Sequence, residues 1–316
     1  MLINRIKLLF WIYFWLLLLE GALRKWLIPE LSTPLLIIRD PVVLLMYWYA
    51  YKGRVFPDSS FIKILFLIGY LFVLWGILAI IQNDSSNLIV VIFGLRTNIL
   101  HFPFIFLIPK VLSRKDLYNI GKVLLAIALP MAVLMTFQFL SPSGAFINRG
   151  AGGAIEAQLP AGLGRIRPPG TFTFVSGPVG LFPLIAAFVC NAFLEEKQYS
   201  PLLLIFSTLG CILACVVSGS RALIVNMSIV FLAFFFLALI WYRAKLGIKN
   251  FWIPVSIATI SLPFLGVVEE GIEVISSRFI RASAGPEGQA GGLIMRIIRS
   301  FTNPLTNTDA PFLDMD

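Results

Sequence analysis

Charge is the scarcest feature of this sequence. Asp, Glu, Lys and Arg supply only 13% of its 316 residues, against about 25% in soluble domains. A soluble enzyme and a disordered tail both need a charged, hydrated surface, so both classes are excluded. The three cysteines, Cys190, Cys211 and Cys215, stand in apolar stretches, which excludes a disulfide scaffold. Cys211 and Cys215 lie four apart on one helix face, half of a metal-site spacing, yet no His, Asp or Glu falls within ten residues of them. They read as small buried apolar residues, and no metal site follows. The single histidine, His101, sits inside an apolar run and reads as a helix-packing residue. Walker loop, nucleophile elbow and paired-histidine zinc patterns are absent, as is any repeat period. No cofactor is implied.

Hydrocarbon fills the sequence instead. The AVILMFWYC set makes up 59% of it, with 28 Phe and seven Trp, and the mean hydropathy is +0.91. About nine spans of ~20 residues would use roughly 180 positions, which matches the apolar share. The expected fold class is therefore all-α, a polytopic transmembrane helical bundle. The apolar runs are Leu8–Leu19, Thr33–Tyr51, Phe61–Gln82, Leu88–Ile108, Leu117–Leu140, Thr171–Leu194, Pro201–Val217, Ala222–Trp241 and Phe251–Val268. Arg39, Asp40 and Pro41 interrupt the second. The first follows Arg5 and Lys7 but lacks a small-residue cleavage pattern, so it reads as a retained signal anchor. Residues 1–268 then form a transmembrane helical domain with an extracytoplasmic loop at about 141–170. Residues 269–316 form an extracytoplasmic loop segment.

Lysine sets the orientation. With the N-terminus inside, nine of the ten lysines fall on inner loops and only Lys25 lies outside, as the positive-inside rule demands. Nine of the fifteen arginines go the other way: Arg24, Arg149, Arg165, Arg167, Arg221, Arg278, Arg281, Arg296 and Arg299. The net charge of +9 is thus scattered over loops and does not indicate nucleic acid. A guanidinium grips phosphate through two parallel bonds where an ammonium acts as a point charge. An outer face rich in Arg and nearly empty of Lys suits a phosphorylated ligand. It equally suits simple pairing with the phosphates of membrane lipids.

Two short stretches carry the candidate chemistry. Arg167-Pro168-Pro169-Gly170-Thr171-Phe172 stands at the outer entrance of the sixth span, and Ser218-Gly219-Ser220-Arg221 at the outer turn between the seventh and eighth. The chain goes in and comes back between them, so both arginines return to one face. Together they can clamp a pyrophosphate, with Gly170 and Gly219 admitting backbone N–H groups, or they can cap helices at the interface. Arg165, Thr171 and Ser220 stand beside them as further substrate-binding candidates. Within the membrane, Asp40 and Arg96 lie at similar depths, about 10 and 12 Å from the outer ends of their helices at 1.5 Å per residue. They are expected to form a structural ion pair, with substrate contact as the alternative, and Arg39 is able to snorkel outward. The carboxylates of Asp314 and Asp316 imitate a metal-binding pair by chance.

These stretches resemble those of the O-antigen ligase and O-antigen polymerase superfamily. Glu20-Gly21-Ala22-Leu23-Arg24-Lys25-Trp26, Arg39-Asp40-Pro41 and Gly94-Leu95-Arg96-Thr97 look like one branch of it. The Arg-x-x-Gly-Thr-Phe stretch with Pro178 beyond, and the Ser-x-Ser-Arg turn, are shared more broadly. The resemblance implies a multi-pass protein of the bacterial inner membrane. It would transfer or polymerise glycans carried on undecaprenyl pyrophosphate, at the periplasmic face and without a metal. Arg167 and Arg221 would face the pyrophosphate as catalytic residues. Members of the family also carry a large periplasmic loop with a histidine and further helices, and here the chain ends where that loop should develop. His101 lies nearer the cytoplasmic end and cannot serve. A truncated enzyme is therefore expected, with an inactive remnant or a transporter or flippase of the same substrates as alternatives. The pattern fits ligase and polymerase equally.

Overall fold

The computed structural model describes residues 2–56, 60–82, 92, 94, 96–194, 199–241 and 266–283. The described chain is all-α apart from one short hairpin. Four of its helical stretches are long and apolar enough to cross a membrane: Leu2–Leu27, Pro29–Lys52, Arg114–Leu140 and Ser176–Phe193. Ile62–Leu74, Pro201–Val217 and Arg221–Leu237 are shorter apolar helices. The ninth expected span, Phe251–Val268, lies almost wholly outside the described residues.

The helices form two compact units. The first takes in Met1–Leu17 and Ile37–Ser113. It holds most of α1 (Leu2–Ala22), α3 (Arg39–Lys52), α4 (Ser60–Gln82) and α5 (Phe104–Val111). Its core joins Ile6 and Phe10 of α1 to Met46 of α3 and to Phe104 and Leu107 of α5. The Phe10 and Phe104 rings stack with centroids 6.1 Å apart. The chain turns at Ile37–Ile38 for a definite reason. Pro41 has no N–H to offer the carbonyl of Ile37, and that carbonyl accepts from the Asp40 amide at 3.0 Å instead. The expected fourth span is also not one continuous helix where it is described. A π-turn, Arg96–Leu100, gives way to a turn over residues 101–103 before α5 begins after Pro103.

The second unit takes in Leu18–Leu36 and Arg114–Gly292. It contains the last turn of α1, the π-turn Leu23–Leu27, α2 (Ser32–Leu36), α6 (Arg114–Leu140), α7 (Ser176–Leu194), α8 (Pro201–Val217), α9 (Arg221–Trp241) and α10 (Val267–Ser283). The pair α6 and α8 packs most extensively, followed by α7 with α9. Small residues allow it. A Cβ built at Gly210 of α8 would stand 2.7 Å from the carbonyl carbon of Ala128, so the two backbones nearly touch, as helices in lipid do where glycine meets alanine. In the same way Gly271 brings α10 onto the backbone of Val216. Ala128, Ala132, Met135, Phe139, Phe182, Ile185 and Ala214 are all buried at this centre.

Two boundaries differ from the sequence expectation. The helix expected from Thr171 begins at Ser176, because Gly170 adopts a left-handed φ of +62° and residues 171–175 are tied down as a turn. The segment expected to be extracytoplasmic loop from residue 269 onward begins as a regular helix, α10.

Candidate functional site

The polar residues of the second unit gather where the Arg167 motif meets the turn between α8 and α9. A hairpin leads into the motif. Strand β1 (Pro160–Gly162) pairs antiparallel with β2 (Arg165–Ile166). The connecting turn holds Gly162, Leu163 and Gly164 at positive φ, a backbone that glycine favours and that leucine adopts at a cost. Beyond β2, the Arg167 amide donates to the Leu159 carbonyl at 2.8 Å. Its Nε donates to the Pro160 carbonyl at 3.1 Å.

Arg167 and Arg221 are brought close together. Burial, and after it the positive charge of Arg221, hold the Arg167 guanidinium below its ordinary pKa, though a guanidinium so placed stays protonated at neutral pH. Gly219 lies between the two motifs, with φ +54°. A Cβ there would come within 2.7 Å of the Ala161 Cβ and 3.7 Å of the Arg167 Cγ. Only glycine lets the hairpin and the Arg167 stem settle on this turn. Ser218 and Ser220 are both buried, and the Ser220 amide donates to the Ser218 hydroxyl at 3.2 Å, which rigidifies the entry to α9.

A third arginine joins from a distant part of the chain. Arg278 of α10 donates from Nη1 to the Gly219 carbonyl at 2.8 Å, so its guanidinium also lies at the turn. The hairpin thus brings the Arg167 stem, and α10 the Arg278 guanidinium, to Gly219, two residues before Arg221. Their planar forks are suited to an anion with several oxygens, such as a phosphate or pyrophosphate.

The other expected binding residues face inward. Arg165 is committed to an ion pair with Glu270 of α10. It also donates to the Leu140 carbonyl at 2.8 Å, at the exposed C-terminal end of α6 where a cation is favoured. Gly170 was expected to offer backbone to a ligand, and this does not hold. Gly170 is buried, its N–H donates to Gln138 Oε1 at 2.8 Å, and its carbonyl accepts from Gln138 Nε2 at 3.1 Å and from Lys25 Nζ at 2.6 Å. The Thr171 hydroxyl is likewise spent on the Leu18 carbonyl at 2.6 Å. Gly170 and Thr171 therefore serve as anchors, and Arg167 as the projecting charge.

Several of these partners escaped the sequence reading. Gln138 is a buried amide within an apolar run, and an intramembrane polar residue is itself a signal. Asn148, also buried, donates to the carbonyls of Gln138, Ser141 and Pro142 and closes the end of α6. Lys25 announced itself only as the single lysine on the wrong side of the charge rule.

In the first unit, Arg96 and Asp40 form a two-point ion pair. Nε meets Oδ2 and Nη2 donates to Oδ1 at 2.9 Å. His101 Nε2 lies 3.8 Å from Asp40 Oδ1, and the Tyr13 hydroxyl 3.5 Å from His101 Nδ1. His101 thus belongs to a polar cluster and does more than fill space. The Arg39 guanidinium sits 5.9 Å from the centre of the Tyr13 ring.

No family model, no curated protein and no solved structure matches the chain.

Proposed function

We propose that this chain is a multi-pass inner-membrane protein of the O-antigen ligase and polymerase type. In this reading it has about nine spans and an inner N-terminus, and it acts on undecaprenyl-pyrophosphate-linked glycans at the outer face. The observation that carries the reading is the packing of the Arg167 stem and the Arg278 guanidinium on Gly219, at the turn that leads into Arg221, whose charge acts on Arg167. Transfer from such a donor breaks the bond between the anomeric carbon and the pyrophosphate oxygen as an acceptor hydroxyl forms a new one and releases its proton to solvent. The departing pyrophosphate takes the electron pair and gains charge. Guanidiniums already in place stabilise that charge more in the transition state than in the ground state.

The reading is tested with protein in nanodiscs and undecaprenyl pyrophosphate as the probe, with undecaprenol as the uncharged control. Binding should favour the pyrophosphate, and Arg167→Ala and Arg221→Ala should each weaken it by about tenfold or more. Arg167→Lys should also weaken it, because the fork is lost although the charge remains. Equal binding of the two lipids, or unchanged binding by the arginine variants, overturns the proposal.

A further inference from the structure

We infer that Lys25 is a positioning residue for Arg167, an inference that rests on the reading of Arg167 as a ligand-binding arginine. Lys25 is fully buried, at 0% exposure, an unusual setting for an ammonium. It sits in the π-turn Leu23–Leu27 that ends α1. A π-turn inserts an extra residue into the helical register and is frequent at functional positions. Its Nζ donates to the Gly170 carbonyl at 2.6 Å and lies 4.2 Å from the centre of the Trp26 ring. The hydrogen bond and the ring face together offset part of the loss of hydration.

The consequence reaches Arg167 through a stiff link. Gly170 is gripped from both sides: Lys25 and Gln138 occupy its carbonyl and Gln138 holds its N–H. Between Gly170 and Arg167 stand only Pro168 and Pro169, both buried, whose rings fix φ at two successive positions. A displacement of Gly170 is therefore passed on to Arg167 rather than absorbed. The neighbouring bonds strengthen the same dock. Thr171 donates to Leu18, and a Cβ at Gly21 would fall within 2.6 Å of the Phe172 carbonyl carbon and the Thr173 nitrogen. The end of α1 is thus a socket for residues 170–173, and Lys25 is its pin. Glu20 and Arg24, paired across one turn at 3.2 Å, set the direction of that end, with Arg24 Nε also on the Ser32 carbonyl at 2.9 Å.

The test compares wild type with Lys25→Met, which keeps the length and apolar stem of the side chain while removing the donor. Hydrogen exchange at the amides of residues 170–173 should quicken by about tenfold in the variant, with α6 and α8 unchanged. Undecaprenyl pyrophosphate affinity in nanodiscs should fall by about tenfold, yet Lys25→Met should add nothing in an Arg167→Ala background, because both act on one contact. A merely structural lysine would lower affinity equally in both backgrounds, and that outcome overturns the inference. Unchanged exchange at residues 170–173 overturns it too, whatever the ligand does. Wild-type protein that fails to bind the lipid sinks the functional reading, and the exchange arm then decides the positioning role alone. Where Lys25→Met does not fold, Lys25→Leu, which also removes the donor, takes its place under the same criteria.

Discussion

Replacing Asp40 by alanine would leave Arg96 without its carboxylate inside a membrane-spanning unit. The magnitude follows from the geometry. The guanidinium meets the carboxylate at two points, and both side chains are only 15% exposed. Two unit charges about 4 Å apart attract by roughly 4 kcal/mol at an effective dielectric constant of about 20. Breaking a buried pair by removing one partner costs about 3–5 kcal/mol, so Asp40→Ala should lose stability in that range. Asp40→Asn keeps the shape and one acceptor and should lose less, about 1–3 kcal/mol. The double replacement Asp40→Leu with Arg96→Met removes the uncompensated charge altogether and should come within about 1.5 kcal/mol of wild type. Denaturation of wild type, Asp40→Leu, Arg96→Met and the double variant in one detergent, followed by helical signal, supplies the cycle. The reasoning requires a large coupling between the two positions. Losses that simply add in the double variant refute it.

Two further outcomes are expected. Gly210→Leu should cost at least about 2 kcal/mol by overpacking, since even a Cβ would fall within 2.7 Å of the Ala128 and Leu129 backbone. A detergent melting temperature equal to that of wild type would show that α6 and α8 do not touch there. In a cysteine-free background, a membrane-impermeant thiol reagent added from outside should label a cysteine at position 156 and spare one at position 52, both exposed positions. The reverse pattern would invert the orientation drawn from the lysines.

The legible part of this protein was whatever composition and local order encode. Apolar runs foretold helices, and Pro41 foretold the break before α3, because a missing N–H acts on its own turn of helix. Asp40 and Arg96 were matched by depth, a property that counting along two helices can supply. The contacts that were not legible join residues far apart in the chain. Lys25 and Gly170 are separated by 145 positions, and Arg165 and Glu270 by 105. No periodicity records such a meeting; it exists only once helices have packed. The same limit applies to Gly170 and Thr171. A glycine and a hydroxyl beside an arginine suit a ligand and an internal anchor equally well in sequence, and only the partner decides between them. Arg278 was seen as an arginine but not as part of the cluster, because α10 was expected to be loop.

Residues expected to act together at a ligand therefore separate into two roles. Arg165, Gly170 and Thr171 spend their hydrogen bonds on the protein itself, while Arg167 and Arg221 stand close enough for one charge to depress the pKa of the other. Like charges held together raise the free energy of the fold, and a sequence under no functional demand would be expected to lose one of them. Arg278 donates to the Gly219 carbonyl beside them. Local rules broken while their surroundings are firmly held are the mark of a functional position. The surroundings here are firmly held. Pro168 and Pro169 stiffen the approach to Gly170, Gln138 and Lys25 fasten it, and Ser218 braces the turn opposite. Those bonds fix the backbone beside Arg167 and the turn that precedes Arg221.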